Sequence, residues 1–307
     1  MPAEIYATVP QFSIVIPVYN DWEALEDCLR SLNHQTGTPG FEVVIVDDGS
    51  RVPAPESIRQ FSSHFPLTIA RQPHAGIPAA RNRGIQNSKG AIFVFTDADC
   101  RLDSDCLTVL NATISRLPQH KYFQLRLVGD SSNLVGRAEE LRLLAIQSQL
   151  LQPDGCIRYL NTSGFAMRRS AVSDETFLFD PTAQRSEDTL LLTNLIESGE
   201  LPFFATDAVV RHSVRMSLTE CISKDARVAW LEARTFEGIA ARGIKVRMKN
   251  RERIAILRSM WKASRQPSIG RIAWFVLAAR QALQRAISLL YCCLPFRSKV
   301  RRAANSP

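Results

Sequence analysis

Ala91-Ile92-Phe93-Val94-Phe95-Thr96-Asp97-Ala98-Asp99 is a short apolar run that breaks off into two carboxylates. Consecutive apolar residues without polar alternation read as a strand covered on both faces. The same shape occurs upstream. Phe12 to Val18 is apolar and leads into Pro17-Val18-Tyr19-Asn20, and Phe41 to Val46 leads into Asp47-Asp48-Gly49-Ser50. Leu67 to Ala70 is a third short run. Helical patterns separate them. Asp21 is placed to cap a helix with Trp22, Leu25, Leu29 and Leu32 on its apolar face, and further helices fit 56–65 and 78–88. Strand and helix in alternation imply βαβ crossovers and a mainly parallel, Rossmann-like sheet. Ligands of such sheets bind beyond the carboxyl ends of the strands. Tyr19-Asn20, Asp47-Asp48 and Asp97 with Asp99 all fall there, so they are expected to share one rim.

Downstream the pattern becomes mixed. Helices fit 104–117 and 136–151, and Tyr122 to Val128 is strand-like. Phe203 to Val210 reads as a strand or strand pair ending at His212, and everything from about 217 onward looks helical. The expected organisation is an α/β unit over 1–215 and a basic helical extension over 216–307.

The chain has 307 residues, 45% hydrophobic and 22% charged, which suits a globular protein and excludes a disordered one. Its net charge of +8 is unevenly placed. From Ala241 to Pro307 there are sixteen Lys and Arg against one acid, Glu252, so the first 240 residues are net acidic. Such a basic segment could meet anionic lipid, nucleic acid or an anionic substrate, or simply be a solvated face. Residues 270–296 carry Trp274, Phe275, Leu277, Leu283, Ile287 and Leu290, with Arg280, Gln281, Gln284, Arg285 and Ser288 at helical spacing. Pro295 ends the run, and Arg297, Lys299, Arg301 and Arg302 follow. This fits an amphipathic helix lying in an anionic membrane surface, or one packed on the domain or in a dimer. The seven cysteines are odd in number and contain no C-x-x-C pair, which favours a reducing compartment. Cys292-Cys293 reads as a lipidation site or as apolar filling of a helix face. Neither a secretory signal nor an apolar run of about 18 residues is visible. A cytoplasmic location, with contact at the inner face of the membrane, is the expectation.

Asp97 and Asp99 sit two apart, and their carboxylates can hold one divalent cation against a diphosphate. Hard oxygen ligands suit Mg²⁺ or Mn²⁺, which would neutralise charge on a leaving nucleoside diphosphate. Asp48 can accept hydrogen bonds from a base or a ribose, or can be plain turn chemistry with Gly49. In Gly76-Ile77-Pro78-Ala79-Ala80-Arg81, the small residues let a helix start approach a ligand, and Arg81 can reach a phosphate. They equally fit a helix packed closely on the sheet.

Taken together, I-V-I-P-V-Y-N at 14–20, V-V-I-V-D-D-G-S at 43–50, A-A-R-N-R-G at 79–84 and F-T-D-A-D at 95–99 resemble family 2 glycosyltransferases of the GT-A fold. The resemblance covers roughly 11–215. It implies an inverting transfer of sugar from a nucleoside-diphosphate sugar to an acceptor hydroxyl, in polysaccharide or glycolipid assembly. A UDP-sugar donor and a sugar or lipid-linked acceptor are the implied partners, and nucleic acid is not. It places Pro17, Tyr19, Asn20, Asp48, Arg81 and Asp97 on the donor side. Asp99, with His212, would be the metal ligand, and Asp97 would serve the ribose or a metal-bound water. In Glu187-Asp188, Asp188 would be the catalytic base; two acids in the first turn of a helix are also ordinary dipole chemistry. Thr162, Ser163 and Gly164, with Glu187, would line the acceptor side, although the family more often has Gly-Gly or Gly-Asn there. Cys100 departs from the family's usual polar residue. A sugar nucleotidyltransferase would carry a Gly-rich loop after the first strand, where this chain has Val18-Tyr19-Asn20. A non-catalytic nucleotide-sugar-binding relative is the remaining alternative.

Overall fold

The computed structural model describes residues 9–129, 133–172, 178–181, 183, 186–214, 216–241, 250–266 and 270–293. The first half runs β1 (Phe12–Val18), α1 (Trp22–Asn33), β2 (Phe41–Asp47), α2 (Glu56–Arg59), β3 (Leu67–Arg71), α3 (Ile77–Gln86) and β4 (Ile92–Phe95). Then come β5 (Cys100–Leu102), α4 (Cys106–Arg116), β6 (Tyr122–Gly129), α5 (Leu134–Leu150) and β7 (Phe165–Arg168). The chain continues with α6 (Glu187–Glu197), β8 (Phe203–His212), α7 (Leu218–Ala241), α8 (Asn250–Ala263) and α9 (Arg271–Cys293).

The strands form one sheet in the order β3-β2-β1-β4-β7-β6-β8-β5. Its first four strands are parallel, as expected, with Val18 opposite Asp47 and Val15 opposite Phe95. Every side chain of β1 and β4 is buried, which is why both read as apolar runs, broken only by Ser13, whose hydroxyl donates to Glu42 Oε1 at 2.7 Å. Each buried Val, Ile or Phe contributes about 1.5–3 kcal/mol of burial free energy. Asp21 caps α1 as expected, accepting from the Ala24 amide at 3.3 Å.

The second half of the sheet is mixed. β7 runs antiparallel to both β4 and β6, while β8 is parallel to β6 and antiparallel to β5. Phe203–His212 is one strand, and the β6–β8 register shifts between Leu125 and Arg126. β5 and β7 were not legible as strands. They are three and four residues long and carry Arg101 and Arg168, so neither shows the continuous apolar run that reveals the equally short β4.

The C-terminal helices pack on this core through an apolar cluster. Ala138, Leu141 and Ala145 of α5 meet Ile256 and Met260 of α8 and Ala273 and Leu277 of α9. Arg280 of α9 pairs with Asp225 of α7 at 2.6 Å. One face of α9 is therefore held against the protein. Arg297, Lys299, Arg301 and Arg302 lie outside the described residues, as do the side chains of Cys292 and Cys293. Cys28, Cys100, Cys106, Cys156 and Cys221 are buried free thiols.

Candidate active site

The parallel ladder brings the ends of β1, β2 and β4 to one rim. Pro17 is buried in β1 opposite Val46. Asn20 adopts a left-handed backbone (φ 59°), and its amide donates to Ser50 Oγ at 2.9 Å while its Oδ1 accepts from the Arg51 amide at 2.7 Å. Those two bonds stitch the loop after β1 to the loop after β2. Tyr19 is exposed, and its ring stacks on His74 at 4.3 Å between centroids.

Asp48 is buried and turned inward. Its Oδ1 accepts from Gln72 Nε2 and the Ala75 amide, both at 2.8 Å, and its Oδ2 from the Gly76 amide at 2.9 Å. His74 Nδ1 lies 2.9 Å from the same Oδ2. The carboxylate thus clasps the segment that launches α3.

Helix α3 lies very close to the sheet. A Cβ on Gly84 would sit 2.3 Å from Val15 Cγ1, and Ala80 packs on Val44 and Val46. The small residues of this helix serve its approach to the sheet. That approach drives Arg81 inward until 2% of its side chain is exposed. Its Nη2 donates to Asp97 Oδ1 at 2.8 Å and its Nη1 to Glu187 Oε1 at 2.7 Å. Asp188 Oδ1 is 4.0 Å from Nη1, and the Phe179 ring lies beneath at 5.7 Å. Asn82 fixes the Phe179 backbone in both directions, donating at 2.7 Å and accepting at 3.1 Å.

The antiparallel pairing of β7 with β4 delivers the other side. With Phe95 opposite Phe165, the turn just before β7 faces the turn just after β4. Thr96 Oγ1 donates to the Ser163 carbonyl at 3.1 Å, and Ser163 Oγ donates to Asp97 Oδ2 at 2.6 Å. Thr162 Oγ1 donates to Asp188 Oδ1 at 2.6 Å. Gly164 is required there for space, since a Cβ would meet Leu127 Cδ2 at 2.9 Å.

Both oxygens of Asp97 therefore have protein donors. Burial resists its ionisation, but the Arg81 charge and the Ser163 bond hold its carboxyl below the usual range. Asp188 goes the other way. Burial first, then the Glu187 charge, lifts its carboxyl to about 7 against Arg81 and Thr162.

Asp99 has different partners from Asp97. The short β5–β8 ladder sets Cys100 opposite His212, and the Ser213 amide donates to the Asp99 carbonyl at 2.8 Å. This places His212 Nε2 3.3 Å from Asp99 Oδ2. Burial opposes protonation of His212, but the hydrogen bond and charge of Asp99, then Glu139 and Asp97, raise it to about 9. Ligand atoms of Asp99, Cys100 and His212 lie within 4.8 Å of one another. Burial and the charges of Asp99 and Asp97 push the Cys100 thiol well above its ordinary range, so it remains a thiol. The usable donors are one carboxylate and, once a cation displaces the proton that Asp99 holds on it, one imidazole. That pair fits a divalent cation whose other positions are filled by phosphate oxygens and water.

Five contributors carried no sequence signal. His74 beneath Tyr19 sits in a loop with no motif. Gln72 and the 75–76 amides on Asp48 act through loop geometry. Glu139, which adds charge toward His212, lies on a helix far away in sequence.

A parallel half-sheet with a polar rim, extended by a mixed half that supplies further acids, defines the GT-A class of α/β proteins. A sequence model described as Glycosyl transferase family 2 matches residues 13–177, and the chain belongs to that family. Pre-mycofactocin glycosyltransferase of Mycobacterium tuberculosis is 27% identical over 296 residues, covering 94% of this chain and 57% of that protein. The chain thus spans little more than half of that curated relative, and a third or less of others that match over shorter stretches. Among solved structures, Staphylococcus aureus TarS 1–349 in complex with UDP superposes with a TM-score of 0.56 at 18% identity. That likeness covers 92% of this chain and 91% of TarS 1–349. The mannosyltransferase PcManGT from Pyrobaculum calidifontis, in complex with GDP-Man and Mn²⁺, has a TM-score of 0.54 at 18% identity, over 97% and 85% of the two chains. Both establish the fold.

Proposed function

We propose that the chain is an inverting glycosyltransferase that moves a sugar from a nucleoside-diphosphate sugar to an acceptor hydroxyl. The observation that carries this is the Asp188 carboxyl, lifted to about 7 beside the Arg81 guanidinium that binds Asp97. A base needs a pKa near the working pH and a place beside the donor; the raised Asp188 carboxyl and its 4.0 Å approach to the arginine that binds Asp97 support that role.

Asp188 takes the proton of the acceptor hydroxyl at Oδ2, while Oδ1 stays on Thr162. The acceptor oxygen attacks the anomeric carbon from the face opposite the leaving diphosphate, which inverts the configuration. Tyr19, backed by His74, offers an exposed ring on which a nucleobase can stack. Pro17 and Asn20 fix that rim, and Asp48 holds the loop beside it. Asp97, ionised and pinned by Arg81 and Ser163, faces the ribose or a metal-bound water. Asp99 and His212 would hold Mn²⁺ or Mg²⁺, which would offset charge on the leaving diphosphate. TarS and PcManGT carry UDP and GDP-Man, so the donor class has support and its base does not. Ser163, Gly164 and Glu187 border the acceptor side. The region 1–215 is read as the catalytic unit and 216–307 as the extension. Its basic content favours a lipid-linked acceptor at the inner, anionic face of a membrane.

Thermal-shift screening of nucleotide sugars with and without Mn²⁺ tests the donor reading. Stabilisation by one nucleotide series, dependent on Mn²⁺, is expected; none with any nucleotide would overturn it.

A further inference from the structure

α9 has two faces of different character. Ala273, Leu277 and the Arg280–Asp225 pair hold one face against α5 and α7. That contact fixes which residues point outward. Ile272, Phe275, Leu289 and Leu290 are 59–68% exposed, and the exposed alanines Ala279, Ala282 and Ala286 lie between them on the same side. At 100° per residue these seven span about 100° of the helix, without a charge among them. The helix is 23 residues long, so the stripe runs most of about 35 Å.

α8 repeats the design. Ile256 and Met260 are buried against α5, while Ile254, Leu257 and Trp261 are exposed at i, i+3 and i+7. Arg258, Lys262 and Arg265 are exposed beside them. The two stripes are joined. Trp261 meets Trp274 edge-on at 5.0 Å, Trp274 meets Phe275 at 5.1 Å, and the Arg271 guanidinium sits 3.9 Å over the Trp261 ring.

We infer that the joined outer faces of α8 and α9 form a docking surface for an anionic lipid bilayer, with both helices lying in its plane. Three observations select this occupant. The surface is apolar with Arg and Lys at its margin, complementary to acyl chains below negative headgroups. Among the described residues, the acids beside it are already paired, Glu252 to Arg158 at 2.5 Å and Asp225 to Arg280 at 2.6 Å, and add little negative charge. A second copy would set the same basic margin against itself, and like charges facing each other oppose association. The tryptophans suit the headgroup level. No helix among the described residues is long and apolar enough to cross a membrane, which agrees with helices lying flat. The contact is thus assigned to ordered helix faces and not to the Lys and Arg beyond Pro295.

This deepens the membrane side of the proposed function and is independent of the catalytic roles. The test is co-flotation of the full chain with vesicles of phosphatidylcholine alone or with about 30% phosphatidylglycerol. Wild type is expected to float only with the anionic vesicles. Leu257→Glu with Phe275→Glu, both at exposed positions, should weaken that partition at least tenfold, with melting temperature and elution volume unchanged. Replacing Arg297, Lys299, Arg301 and Arg302 by Ser should cost less than the two glutamates. If wild type floats with no vesicle, this surface and the membrane reading both fall. If it floats and the double variant floats equally well, the surface is wrong while membrane contact stands. If the double variant instead turns a dimer into a monomer without changing flotation, the occupant is a second copy and the inference is overturned. Donor hydrolysis in vesicle-free buffer, expected to be equal in both, reports on the catalytic reading separately.

Discussion

Arg81 Nη2 donates to Asp97 Oδ1 at 2.8 Å, and this bond ties the first turns of α3 to the acidic turn after β4. The other arm of the guanidinium reaches Glu187 of α6, so one buried cation holds an acid from the turn after β4 and an acid from α6 together. A lysine cannot serve both partners, because it lacks the planar fork. Arg81→Lys should therefore leave one acid unmatched in a buried site. We expect a loss on the order of 3 kcal/mol in urea unfolding, with turnover down at least 100-fold. An unchanged unfolding midpoint would show that the fork is dispensable.

Asp188 allows a signed prediction. Its folded carboxyl is raised to about 7 from an ordinary value near 4. Between those values the folded state binds a proton that the unfolded state lacks, so this group's contribution to stability falls as pH rises from about 4 to 7. Asp188→Asn removes that cost. The variant should melt higher than wild type at pH 8, by on the order of 2 kcal/mol with partial exposure discounted, and equally at pH 4. Turnover of wild type should rise through an apparent pKa near 7. A variant that melts lower at pH 8 would contradict the assignment.

Metal-dependent binding separates Asp99 from Asp97. Asp99 meets His212 Nε2 at 3.3 Å and Cys100 Sγ at 3.8 Å, long contacts that a cation can replace, whereas the Asp97 oxygens are held by short bonds at 2.8 and 2.6 Å. Asp99→Asn and His212→Ala should each weaken Mn²⁺-dependent nucleotide binding at least tenfold in calorimetry while leaving the melting temperature within a few degrees. Ser163→Ala should leave Mn²⁺ affinity nearly intact and lower turnover, because it frees Asp97 to rotate.

Gly49 tests the clasp on the loop. Its φ is +80°, and an added Cβ would lie 2.7 Å from the His74 backbone nitrogen. Gly49→Ala should cost about 2 kcal/mol through strain and collision. It should also loosen nucleotide binding through His74 and Tyr19.

Much of the fold could be read from residues 11–100, because buried parallel strands announce themselves as largely apolar runs ending in polar turns. The site's halves were unequally legible. Asp97, Asp99 and Asp188 stand in motifs, so their neighbourhood was anticipated. What the sequence could not reveal is who holds whom. That Asp99, and not Asp97, has His212 for a partner depends on β5, three residues whose pairing with β8 brings His212 to Asp99. The inward turn of Asp48 depends on the amides of Ala75 and Gly76, which carry no side-chain signal. The helical tail was visible as amphipathic, but which face is covered is decided by α5, more than a hundred residues away.

The configuration of the sugar released from the donor is the most direct test of the transfer chemistry. Proton NMR can follow a nucleotide sugar selected by thermal shift, with Mn²⁺ and with water as the acceptor. A single displacement assisted by Asp188 predicts that the first sugar to appear has the anomeric configuration opposite to the donor, and that Asp188→Asn binds the donor but releases none. Release of the retained anomer, or undiminished release by Asp188→Asn, would contradict it.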